Sequence, residues 1–197
     1  MLRYAITDRS LFGGSLDALL DRIVEIAPSI DFLQIRERDL FVAELEGFTT
    51  RVIAALSRLA VRPRVLVNHR ADVAMACAAD GVHLRSPASG ELAPDDLRAM
   101  YAKAGLPAPV ISASCHSLEE ISGCLEADFI LFGPVFEKVG AAEKIPGLGL
   151  EMLRRGCVAA HPAKVLALGG VTEANAASCS EAGAAGIAGI RLFFARP

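Results

Sequence analysis

The chain has 197 residues, of which 53% are hydrophobic and 22% charged, enough apolar material to bury one substantial core. Its net charge of −3, with no block of like charge, excludes a general electrostatic attraction to nucleic acid or anionic lipid, so neither is expected as a partner. The apolar stretch from Ile187 to Phe194 is broken by Gly189 and Arg191, and nothing approaches the roughly 20 residues of a membrane-spanning helix.

In chain order, short aliphatic or β-branched runs recur roughly every 20 to 30 residues, each followed by a stretch of helical period. The first run, Tyr4 to Thr7, ends in polar residues and lacks the charged and long apolar regions of a secretion signal. Further strands are expected at Phe32–Ile35, Val65–Asn68, Gly81–Leu84, Val110–Ala113, Phe129–Phe132, Val165–Leu168 and Gly186–Ile190. Helices are expected at Leu16–Ile26, Phe41–Leu59, Ala71–Ala78, Pro94–Lys103, Leu118–Leu125, Gly149–Val158 and Glu173–Ala182. Ser117 and Thr172 stand where helix N-caps are wanted. The cysteines Cys77, Cys115, Cys124, Cys157 and Cys179 are scattered without C-x-x-C spacing. They read as reduced thiols of a soluble, cytoplasmic protein.

Strand–helix alternation of this kind predicts a parallel sheet, and hence a single-domain (β/α)8 TIM barrel over residues 1–197. A doubly wound open sheet would carry a glycine-rich turn after the first strand, where Thr7-Asp8-Arg9 stands instead. Only a few residues follow the eighth strand, so the eighth helix should be short or missing. The side left uncovered would favour burial in a homodimer.

A TIM barrel builds its active site where its strands end, and those ends are polar in this chain. Thr7 and Asp8, Gln34 to Arg38, Asn68 and His69, His83, Ser112, Ser114 and His116, and Phe136 to Lys138 fall there. Gly169-Gly170 and Gly189-Ile190-Arg191 follow the seventh and eighth strands, where barrels often bind phosphate through backbone N–H groups. The two glycines could equally serve only a turn, and Arg191 only the solvated surface. Gln34 and Arg36 alternate to the same side, so Arg36 and Arg38 either hold an anion or pair with Glu37 or Asp39. His116 suits proton exchange near neutral pH, or else is an ordinary residue at a helix start. His83 reads as a core or barrel-lining histidine and His161 as a surface one. Cys115 adjoins His116, but neighbours in an extended segment point to opposite sides.

The segments Tyr4–Arg9, Leu33–Leu40, Val67–Ala74, Ala79–Leu84, Ser114–Glu120, Ala127–Phe136 and Ala167–Val171 resemble, in order, the thiamin phosphate synthase/TenI family. The likeness runs over nearly the whole chain and implies the same barrel. It implies small phosphorylated thiazole and pyrimidine substrates. Gln34, Arg36, Arg38 and Asn68 would take pyrimidine pyrophosphate contacts, Ser114 another substrate contact, and Gly170, Ile190 and Arg191 the thiazole phosphate.

The family's synthases hold Mg²⁺ on an Asn-Asp pair after strand three and an acidic segment after strand four. Here Asn68-His69 and the run from Arg85 to Gly90 stand in those places, and Lys138 to Ala141 replaces a Thr-x-Thr-Lys segment. Exchanging carboxylates for an imidazole removes the oxygen ligands that Mg²⁺ prefers. TenI-type thiazole tautomerases lack that metal site and keep a histidine at the position of His116. The loop from Leu84 to Pro94 is also similar to theirs. The resemblance therefore implies a tautomerase without cofactor, His116 acting as acid and base. The alternatives are a synthase, which would need Mg²⁺, and a non-catalytic barrel that binds a phosphorylated ligand.

Overall fold

In the computed structural model, which describes all residues except 87–91, 140–143 and 196–197, a closed barrel of eight parallel strands positions everything else. The barrel strands are β1 (Leu2–Ile6), β2 (Phe32–Ile35), β3 (Arg64–Asn68), β4 (Gly81–Leu84), β5 (Val110–Cys115) and β6 (Phe129–Phe132). After a small antiparallel hairpin, β7 (Lys138–Val139) and β8 (Lys144–Ile145), the barrel resumes with β9 (Lys164–Leu168) and β10 (Gly186–Gly189). Each barrel strand pairs with the next, and β10 closes on β1. The helices are α1 (Leu16–Ile26), α2 (Val42–Leu56), α3 (Ala71–Ala76), α4 (Pro94–Lys103), α5 (Leu118–Ser122), α6 (Gly149–Ala159), α7 (Ala176–Glu181) and α8 (Arg191–Phe194). No helix is long and apolar enough to cross a membrane, among the described residues.

The strands are buried on both faces because each face meets a different core. Outward-facing residues such as Leu33, Ile35, Val65 and Val67 pack beneath the helices. Tyr4, Ile6, Phe32, Leu66, Leu131 and Leu166 fill the barrel interior, where the Phe32 and Phe129 ring centroids lie 4.7 Å apart. The helices present matching stripes. In α1, Leu19, Ile23 and Ile26 are buried at helical spacing, and the Ser15 hydroxyl accepts from Ala18 N at 3.2 Å to cap the first turn.

Two sequence expectations change. The helix expected from Glu173 begins at Ala176, because Asn175 occupies the turn before it: its side chain accepts from Thr172 N at 2.8 Å and donates to the Gly170 carbonyl at 3.0 Å. Ser117, in contrast, caps α5 as expected, accepting from Glu120 N. The eighth helix is short, a single turn, yet the flank beside it is not left bare. Phe193 and Phe194 are buried. Phe194 meets Phe12 edge-on at 6.2 Å, Arg3 lies over the Phe193 ring at 5.1 Å, and Arg22 donates to the Phe193 carbonyl at 3.0 Å. Two aromatic side chains thus lie over the side of the barrel that the short eighth helix serves. The hairpin β7–β8 was not foreseen.

Candidate functional site

A cavity of about 870 Å³ opens at the C-terminal ends of the barrel strands. The substrate and catalytic candidates Gln34, Arg36, Arg38, Asn68, Ser114, His116, Gly169, Gly170, Gly189, Ile190 and Arg191 line it, whereas Thr7, Glu37, His69 and Ser112 do not. The parallel register brings them together, since aligned residues on neighbouring strands face the same side. Asn68 is paired with His83 and His83 with Ser112, so all three side chains form one inward row.

On the β2 side, Gln34 is almost wholly buried and donates to Asn68 Oδ1 at 2.8 Å, while its side-chain oxygen Oε1 has no partner among the described residues. Arg36 follows, half-buried. Glu37 and Asp39 do not pair with Arg36 or Arg38. Glu37 turns inward, accepting from the Thr7 hydroxyl at 2.6 Å and from Arg9 N at 3.1 Å, and Asp39 pairs with Arg9 at 2.7 Å. Burial pushes the Glu37 carboxyl above its usual range, against the pull of the Thr7 and Arg9 hydrogen bonds. With those acids taken, Arg36 and Arg38 have no carboxylate partner among the described residues. Burial first, then repulsion from Arg38, holds the Arg36 pKa below its ordinary value. Asp8 and Glu37 act on Arg36 only as nearby charges, and two neighbouring guanidinium groups without a paired carboxylate favour an anion.

At the β5 end, the His116 side chain lines the cavity, and its Nδ1 lies 2.6 Å from the Gly133 carbonyl oxygen. A carbonyl only accepts, so Nδ1 carries the proton and Nε2 keeps a lone pair. The backbone N–H of His116 donates to Glu120 at 2.7 Å, which holds the turn that presents the ring. Cys115 faces the other way, buried in the outer core beside Cys124. Its contact with Cys124 and then burial push its thiol up, so Cys115 and His116 form no nucleophile pair. His161 is exposed.

The two glycine-bearing loops follow β9 and β10. Gly169 and Gly170 have φ of +89° and +65°, and a Cβ on either would come within 2.5 Å of Pro134 or 2.6 Å of the Glu137 carbonyl oxygen. Glycine is thus required there by turn geometry and by close packing on the β6 loop, the plainer of the two readings open at the sequence level. The loop still borders the cavity next to Gly189, Ile190 and Arg191. Arg191 is exposed at the rim.

The places the family resemblance reserves for Mg²⁺ hold other chemistry. His69, in the left-handed region at φ +51°, lies outside the cavity lining and accepts at Nε2 from Arg85, 2.6 Å away. Arg85 itself lines the cavity. A guanidinium braced by an imidazole is no ligand set for a hard cation. No cluster of His, Cys, Asp and Glu suited to a metal occurs among the described residues. Residues 87–91 and 140–143, which carry most of the two altered loop segments, lie outside the described residues.

Sequence reasoning missed the depth of the polar row. His83 is buried, its Nδ1 2.9 Å from the Ser112 hydroxyl and its Nε2 2.9 Å from that of Ser114. Ser112 continues to the Tyr4 hydroxyl at 2.8 Å. Desolvation lowers the His83 pKa to about 3, with a further push from Arg36. The signal was present in the alternation of His83 with its strand, and of Ser112 with Ser114, but Tyr4 reads simply as an apolar strand residue. Arg85, which lines the cavity, was also not singled out.

Comparison with known proteins gives one consistent answer. The family model described as thiamine monophosphate synthase, TMP-TENI, matches residues 3–193. A Geobacter sulfurreducens protein, whose name assigns it provisionally as a thiamine-phosphate synthase, is 36% identical over 98% of this chain and 87% of its own length. A Methanoregula boonei thiamine-phosphate synthase is 33% identical, covering 98% and 86% respectively. Among solved structures, a thiamine phosphate pyrophosphorylase from Pyrococcus furiosus superimposes with a TM-score of 0.78 at 25% identity, over 99% of this chain and 88% of that one.

Proposed function

The chain belongs to the thiamine monophosphate synthase family, and within it we propose an enzyme of thiamin biosynthesis that isomerises a thiazole carboxylate phosphate by acid–base catalysis. The observation that carries this reading is the fixed tautomer of His116: Nδ1 is committed to the Gly133 carbonyl, and Nε2 is free to take a proton. Aromatising such a ring requires one group that removes a proton from a ring carbon and returns a proton at another position. It also needs anchors that hold the substrate still while this happens. Arg36 and Arg38 suit the carboxylate, and the loops at Gly169-Gly170 and Gly189 to Arg191 suit the phosphate. Gln34 and Asn68 complete the wall between these ends. Ser114, beside His116, adds a hydroxyl.

The second reading is a thiamine-phosphate synthase, coupling a pyrimidine pyrophosphate to a thiazole phosphate. The names of the relatives favour it; the donors at the metal positions do not, because His69 and Arg85 offer no oxygen ligand. One set of assays separates the two. Purified protein and its His116→Ala variant are given the thiazole carboxylate phosphate tautomer, and in parallel both synthase substrates with and without Mg²⁺. Aromatisation above the buffer rate that is lost in the variant supports the isomerase. Mg²⁺-dependent thiamin phosphate without aromatisation would replace it with the synthase, and ligand binding without either turnover would leave a phosphate-binding barrel.

A further inference from the structure

We propose that the buried chain Tyr4–Ser112–His83–Ser114 fixes Ser114 as an obligate hydrogen-bond donor to whatever the cavity binds. The chain has one closed end and one open end. Tyr4 is completely buried among Phe32, Leu66, Leu131 and Leu166, and among the described residues its hydroxyl meets only Ser112, at 2.8 Å. A hydroxyl in that position gives its proton to Ser112, because leaving a buried O–H unpaired costs more than leaving an oxygen lone pair spare.

The remaining directions then follow one from another. Ser112 has accepted from Tyr4, so its own proton goes to His83 Nδ1, 2.9 Å away. His83 is neutral and carries its single proton on Nε2, which donates to Ser114 at 2.9 Å. Ser114 has accepted from His83, and its O–H is left to point into the cavity it lines. Removing the Tyr4 hydroxyl would not reverse the order, since Ser112 would become the closed end and obey the same constraint.

This assigns a polarity to the floor of the site. The ligand atom opposite Ser114 is an acceptor: a phosphate or carboxylate oxygen, or an unprotonated ring nitrogen. The second lone pair of the Ser114 oxygen remains open to a donor, so the constraint falls on where its proton goes. It also excludes a Ser114–His83 nucleophile pair, despite the short distance, because the nitrogen facing Ser114 already holds a proton and cannot take another from it. The inference is independent of the choice between isomerase and synthase.

Two measurements on the unmodified protein test it. Imidazole ¹⁵N–¹H spectra of histidine-labelled protein, with His83 assigned by difference from His83→Gln, should show the Nε2–H form of a neutral ring. An Nδ1–H form, or a rapid mixture of the two, overturns the proposal. A serine-directed fluorophosphonate should leave Ser114 unlabelled, as read by peptide mass; stoichiometric labelling at Ser114 would overturn it as well.

Discussion

His116 donates from Nδ1 to the Gly133 carbonyl oxygen across 2.6 Å, so the end of β5 and the loop after β6 together decide which nitrogen of the ring is available. Positioned acid–base groups commonly contribute about 10²- to 10⁴-fold. His116→Ala should lower aromatisation by a factor in that range while leaving KM within a few-fold. Steady-state kinetics check this, and a variant as fast as the parent would remove His116 from the chemistry.

Arg36 and Arg38 stand next to each other without a carboxylate of their own. Replacing either with Ala should weaken binding of an anionic ligand roughly 10- to 100-fold, the range of a charge-assisted hydrogen bond of about 1.5 to 3 kcal/mol. The effect should shrink as salt rises. Titration calorimetry with inorganic pyrophosphate at two ionic strengths provides the check, and unchanged affinity in both variants would place the anion elsewhere.

Gly170 sits at φ +65° with the Glu137 carbonyl where its Cβ would go. Gly170→Ala should therefore displace the loop and destabilise the fold by about 1 kcal/mol or more, with a larger loss of phosphate affinity than of melting temperature. Equal effects from Gly105→Ala, where φ is +69° but no atom lies within 4 Å, would show that backbone strain alone accounts for the change.

His83 makes stability depend on acid. Its pKa falls from 6.5 to about 3 on burial, so below pH 6.5 the unfolded chain binds a proton that the folded chain refuses. Stability is full above pH 6.5 and is lost as pH falls towards 3, on the order of 4 kcal/mol across that window. Urea unfolding at pH 7, 5.5 and 4 should reveal this slope, and His83→Gln should flatten it. An unchanged slope in that variant would assign the acid sensitivity to other groups.

The sequence made the barrel legible because strands buried on both faces and helices with one apolar stripe leave different periodicities. The residues that line the cavity were legible for a related reason, since the candidates among them stand within a few positions of a strand's end. What the sequence concealed depends on partners distant along the chain. Nothing near Glu37 says that Thr7 and Arg9 will claim its carboxylate and so leave Arg36 without a direct ion pair. Nothing near Tyr4 announces a hydroxyl partner 108 positions away. Thr172 was a reasonable cap locally, but Asn175 had a better use tying the Gly170 turn. The hairpin β7–β8 is too short to display a period at all.

The pairing of β10 with β1 brings the eighth strand of the barrel against the first. Until residues 186–189 are synthesised, the growing sheet has two unpaired edges, at β1 and β9, both lined by backbone groups able to recruit another chain. Closure also waits for Phe193 and Phe194, which seal the flank beside Phe12. Barrel closure therefore waits for β10 and the two aromatic residues after it, and the interval before closure is when the barrel is most exposed to misassembly.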